Sequence, residues 1–243
     1  GLPRKDMELL IASRRDTPAS DTFTQLAGTE PTSKFGEIFQ YNNLMASAAG
    51  YIGGALAYPG LDLGVAYDKA MQVRVFDPLG MKDTTFDMAK GMSGDHADPS
   101  VLDIDGHAVV APQTLNYQFY PFRPAGGAWS SAHDVAQYVR LELAEGVAPS
   151  GERLVSAANL LERRRHNVPI SEDTWYGMGL ETRHRYGVDV VFHGGSLLGY
   201  QSNWFALPQA GVGAVVLTNS DEGVKLLDPF LRRLIEVLWD GRP

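Results

Sequence analysis

Cysteine is absent from this chain, which removes a disulfide framework, thiolate chemistry and every zinc motif that needs cysteine. Long apolar runs are missing too, and none approaches the roughly 20 residues of a membrane span. Positive charge is scarce. With 21 Lys and Arg against 29 Asp and Glu, the formal net charge is −8, so nothing neutralises a run of phosphates and nucleic acid is excluded as a partner class. The one basic cluster, Arg163-Arg164-Arg165, reads as a helix end, where cations complement the dipole. What remains is the composition of a soluble globular chain. Its 243 residues, 44% hydrophobic and 21% charged, are enough for one large or two small domains with a core. Cytoplasm and periplasm are equally compatible with it.

The stretch Phe39-Gln40-Tyr41-Asn42-Asn43-Leu44 places a phenol beside a helix start. Asn42 or Asn43 can cap a helix over residues 43–56 by accepting a backbone N–H bond. Leu44, Ala48, Tyr51, Ile52 and Ala55 would form its buried side, and Gly50, Gly53 and Gly54 would let a neighbour approach. Tyr41 then stands at the positive end of the helix dipole, which favours the phenolate and makes it a candidate proton shuttle. A packing tyrosine ahead of a capped helix is the plainer reading of the same residues.

Along the rest of the chain, Met7, Leu9, Leu10 and Ile11 suggest a short helix within residues 6–14, and Ser20 or Asp21 can cap another through Leu26. Ala66, Ala70, Val73 and Phe76 give a helix over 63–76 that ends before Pro78 and Gly80. A hairpin is expected from Val101-Leu102-Asp103-Ile104 through Asp105-Gly106 to Val109-Val110. Tyr117, Phe119, Tyr120 and Phe122 would line a substrate pocket or pack over their own small loop core. Ser131 is read as the N-cap of a helix, with Asp134 three residues on, and Ser156 as the cap of another. Capping accounts for Ser130-Ser131 without a nucleophile. From Trp175 the spacing changes to strands at 176–182, 188–192, 201–207 and 213–218, an antiparallel meander. Leu226, Leu227, Phe230, Leu231, Leu234, Ile235 and Leu238 then make a final amphipathic helix whose stripe covers the sheet. The fold class is α+β: an antiparallel sheet with a flanking terminal helix, plus an all-helical lobe. His193 is placed at the end of the second strand, and Gly194 and Gly195 after it allow close backbone approach to a ligand.

Five segments in order resemble the class C β-lactamase-like serine hydrolases, a family that includes penicillin-binding-protein relatives and esterases. They are Gly1-Leu2-Pro3-Arg4, Tyr41-Asn42-Asn43 as a Tyr-x-Asn motif, Val75-Phe76-Asp77-Pro78-Leu79-Gly80-Met81, Pro124 to Ser131, and His193-Gly194-Gly195. The resemblance covers nearly the whole chain. It implies an acyl-enzyme mechanism on an ester or amide, with Tyr41 as general base and acid and Asn43 holding the substrate's carbonyl or amide. It also implies that His193, in the place of the Lys of Lys-Thr-Gly, assists proton movement or substrate binding, while Gly194 and Gly195 border the oxyanion site. The family's nucleophile lies in a Ser-x-x-Lys motif upstream, and no Ser here is followed three residues later by Lys.

Residues 1–243 are therefore expected to be the C-terminal part of one such domain, with a mainly helical lobe over 1–170 and the strands and helix of the α/β half over 171–243. Alone, the chain is expected to be inactive. Its expected partners are a small ester or amide and the upstream segment as a separate or disordered chain, with a homodimer through open sheet edges as the alternative. No metal or cofactor is called for. Two other readings stand beside this one: a non-catalytic ligand-binding or regulatory member, and a different hydrolase pairing His193 with an acid such as Asp189.

Overall fold

The computed structural model describes residues 1–241, with the backbone alone at Leu10 and Ala12, so the expected packing of Leu10 lies outside the described residues. Two compact units divide the chain, one made of Gly1–Pro78, Lys82–Gly94 and Thr114–Ser130, the other of Leu79–Met81, Asp95–Gln113 and Ser131–Pro243.

The first unit is helical. It contains α1 (Asp6–Ala12), α2 (Asp21–Ala27), α3 (Asn43–Ala57), α4 (Leu63–Met71), the start of α5 (Asp77–Leu79), α6 (Met88–Ser93) and α7 (Arg123–Gly126). Asn42 caps α3, its Oδ1 accepting the Met45 N–H at 2.9 Å. The buried side of α3 is Leu44, Ser47, Ala48, Tyr51 and Gly54, whereas Ile52, expected there, is 50% exposed because it lies 100° round from Tyr51. A Cβ on Gly54 would stand 2.6 Å from the Tyr67 backbone, so the glycine is what lets α4 lie against α3. The expected helix over 63–76 is α4 followed by a π-helical turn, Gln72–Phe76, in which the ladder widens by one residue while Phe76 stays buried. Arg123, 6% exposed, binds Asp68 of α4 with both edges of its fork at 2.6 and 3.0 Å.

The second unit holds the expected hairpin, β1 (Ser100–Leu102) and β2 (Ala108–Val110), paired antiparallel. It also holds α8 (Ala132–Leu143), α9 (Ala157–Glu162), β3 (Val168–Pro169), β4 (Thr174–Tyr176), β5 (Glu181–Arg185), β6 (Val188–Leu197), β7 (Tyr200–Leu207), β8 (Val212–Thr218) and α10 (Val224–Leu238). Strands β3 to β8 form one antiparallel sheet in sequence order, six strands where the spacing suggests four. Residues 176–182, read as one strand, are split because Gly179 takes φ +74° and turns the chain from β4 into β5. Leu231 and Ile235 of α10 are buried with Val188, Val190, Phe192, Phe205, Leu207 and Val216, the alternate residues of one sheet face. Val191 and Ala206, from the other face, cluster with Val139 of α8. Helix α8, on the helical side of the division expected at residue 170, thus forms a layer on the sheet. Among the described residues no helix is long and apolar enough to cross a membrane.

Candidate active site

Tyr41 is set by the two residues after it. Asn42 turns the chain into α3 with its Oδ1 and ties it to the Gly1-Leu2-Pro3-Arg4 loop with its Nδ2, which donates to the Pro3 carbonyl at 2.9 Å. That loop brings the Arg4 guanidinium over the Tyr41 ring, 5.0 Å from the centroid. The Tyr41 ring therefore lies under a cation and its residue directly precedes the N-cap of α3, two sources of positive potential. Asn43 is the first residue of α3, and its Nδ2 donates to Asp6 Oδ1 at 2.9 Å. Asp6, Leu9, Asn43, Phe119 and Phe122 line a narrow recess. Two of the four expected aromatic residues, Phe119 and Phe122, thus line the same recess as Asn43, while Arg15 and Arg123 lie over the rings of Tyr117 and Tyr120.

His193, Gly194 and Gly195 belong to the second unit. His193 does not end its strand: β6 runs on to Leu197, with His193 opposite Trp204, Gly194 opposite Asn203 and Gly195 opposite Ser202. The glycines continue the ladder because β7 closes on them, and a Cβ on Gly195 would lie 2.5 Å from Ser202 Oγ. Both ring nitrogens of His193 are engaged. Its Nδ1 lies 2.6 Å from the Gly194 carbonyl oxygen and its Nε2 3.2 Å from Tyr176 Oη, with the two rings edge to face at 5.9 Å. Sequence reasoning missed Tyr176, whose one signal is an aromatic residue just before the Gly177–Gly179 turn. Glu181, opposite Tyr176 in the β4–β5 ladder, has its carboxyl pushed up by burial, against the pull of His193 and Arg183 in the other direction. Asp189 is not the partner of His193: its oxygens meet His184 Nδ1 at 2.6 Å and Gln209 Nε2 at 2.7 Å.

Other candidates resolve as structure. Ser131 caps α8, accepting the Asp134 N–H at 3.2 Å, and Ser156 caps α9. Ser130 Oγ lies 2.8 Å from Thr84 Oγ1, beside the backbone bridge between Thr85 and Trp129. The basic cluster does more than end a helix. Arg163 and Arg164 turn inward to the fully buried Glu142 at 2.8 and 3.1 Å, Tyr138 donates to the same carboxylate at 2.6 Å, and only Arg165 stays outside, on Glu162. Asp103, Asp105 and His107 bring ligand atoms within 4.8 Å of one another at the hairpin turn. The turn itself accounts for that grouping, since Asp103 Oδ1 accepts the N–H groups of Asp105 and His107.

A model of the family described as beta-lactamase matches residues 1–236. Penicillin-binding protein 4 of Amycolatopsis lactamdurans is 28% identical over 187 residues, which are 71% of this chain and 46% of that protein. The octameric penicillin-binding protein homologue from Pyrococcus abyssi superposes with a TM-score of 0.71 at 23% identity, covering 87% of this chain and 48% of that one. D-amino acid amidase from Ochrobactrum anthropi SV3, complexed with L-phenylalanine amide, gives a TM-score of 0.72 at 22% identity over 100% of this chain and 69% of the other. The chain spans about half the length of the first two of these relatives.

Proposed function

Because this chain belongs to the beta-lactamase family, we propose that it is the C-terminal part of a serine hydrolase that opens an ester or amide through an acyl-enzyme, the attacking serine and its lysine lying upstream of Gly1. The family match over residues 1–236 carries this reading. The absence of a Ser-x-x-Lys in the chain and its half-length relative to similar proteins support an upstream nucleophile. Tyr41, with Arg4 over its ring and Asn42 after it capping α3, takes the proton from the attacking hydroxyl and returns it to the leaving group. Asn43 holds the substrate's carbonyl or amide, and His193 with Gly194 and Gly195 borders the oxyanion site, to which backbone N–H groups of β6 contribute. The similarity to an amidase complexed with an amino acid amide favours an amide over a simple ester.

In the full-length protein, Tyr41→Phe is expected to lower the rate of acylation by about a hundredfold or more, read as the burst with a p-nitrophenyl ester. An unchanged burst would return Tyr41 to packing. A second reading, a non-catalytic ligand-binding member, is favoured by the bond of Asn43 to Asp6 and the engagement of both His193 nitrogens. It requires saturable binding of the same substrate without turnover.

A further inference from the structure

Helix α3 carries no charge on any side. Its 15 residues, Asn43–Ala57, include no Asp, Glu, Lys or Arg, and a helix that is apolar all round is ordinarily enclosed by protein. Here only one side is. Leu44, Ser47, Ala48, Tyr51 and Gly54 are buried, while Met45, Ala49, Ile52 and Leu56 face outward, Met45 and Ile52 each 50% and Leu56 78% exposed. Spaced at i, i+4, i+7 and i+11, these four fall within about 60° of one another round the helix, in a strip about 16 Å long. Ala49 and the neighbouring Gly53 keep the middle of the strip low enough for a second helix to lie close. A membrane surface fits it poorly, because an interfacial helix carries Lys and Arg beside its apolar face and α3 has neither.

Two observations favour chain from upstream of Gly1 as the cover. Gly1 lies beside the start of α3: its carbonyl oxygen accepts the Thr32 N–H at 2.8 Å and an Nε2–H of Gln40 at 3.2 Å, and Asn42, the N-cap, holds the Pro3 carbonyl at 2.9 Å. Any chain preceding Gly1 thus joins the helical unit near the first turn of α3, where the strip begins at Met45. The second observation is chemical. A serine whose proton goes to Tyr41 has to lie within hydrogen-bond reach of that phenol, two residues ahead of α3. A serine and a lysine three residues apart face one way on a helix and opposite ways on a strand, so the segment that carries them is helical there. We propose that the segment upstream of Gly1 supplies a helix, the one bearing the serine and lysine, whose apolar side packs along Met45, Ala49, Ile52 and Leu56. This rests on the reading of an upstream nucleophile. The contact encloses α3 and sets the serine at the level of Tyr41.

The test uses the full-length protein carrying the photo-cross-linking substitution Leu56→p-benzoylphenylalanine. Irradiation and peptide mapping are expected to join residue 56 to a peptide from upstream of Gly1. Single cysteines report the cover independently. Maleimide should label Met45→Cys and Ile52→Cys about tenfold or more slowly than Ser150→Cys, at an exposed turn, because a covered strip opens only by local unfolding. Cross-links confined to residues 1–243, of the same molecule or of a second copy, would overturn the inference. So would Met45→Cys and Ile52→Cys labelled as fast as Ser150→Cys. A serine-directed fluorophosphonate separates this failure from that of the reading beneath it. A labelled serine upstream of Gly1 together with an open strip overturns the inference alone, and a label on a serine within residues 1–243 overturns both.

Discussion

Asn42 and Asn43 are adjacent, either can cap a helix, and the structure gives them different work. Asn42 caps α3 and ties the Pro3 carbonyl, while Asn43 begins the helix and holds Asp6. Asn42→Ala is therefore expected to lower the unfolding free energy by about 1–2 kcal/mol, as loss of an N-cap does, and Asn43→Ala by less. Denaturant unfolding at neutral pH measures both, and equal losses would mean that the capping bond does not carry the difference. Local sequence made the cap legible because capping depends on residues three apart. His193 was harder to read: its type and its glycines were visible, but its partner is on β4, and which strand pairs with which is not a local property. Asp189 illustrates the same limit, since four residues of separation on one strand leave it to His184 instead.

Elements were legible where one periodicity dominates. Helix α10 and strands β6 to β8 are found where a count of spacings puts them, except that β6 runs on past the expected residue 192 to Leu197 and that Leu226 and Leu238 of the expected α10 stripe are exposed. The π turn after α4, the two short strands β3 and β4, and the placing of α8 on the sheet were not legible, because tertiary packing decides each of them. Packing of α3 against α4 has a measurable signature. Burial pushes the phenols of Tyr51 and Tyr67 far above the ordinary tyrosine range, with Arg123 opposing the shift at each. The unfolded chain then loses these protons near pH 10 while the folded state keeps them, so the folded state binds more protons and stability falls as pH rises above about 10. Each phenol contributes a slope of up to about 1.4 kcal/mol per pH unit. Tyr51→Phe should reduce that alkaline slope in denaturant titrations from pH 9 to 11, and a slope unchanged from wild type would contradict the burial argument.

At the scale of the whole molecule, the sheet of the second unit raises the question of what completes it. Among the described residues β8 pairs with β7 alone, and Val224, Leu226, Val237 and Leu238 of α10 are exposed. An edge of unpaired backbone beside apolar surface invites a further strand. The segment upstream of Gly1, required by the proposed chemistry and consistent with relatives about twice as long, is the occupant the account assigns to it. A second copy of the chain is the alternative. The most direct measurement is labelling of the full-length protein with a serine-directed fluorophosphonate, followed by intact mass and peptide mapping. The account predicts one label per molecule, on a serine upstream of Gly1 that is followed three residues later by lysine, and blocked by prior reaction with an ester substrate. A label on Ser130 or any other serine of these 243 residues, or no label in a protein that still turns over the ester, would contradict it.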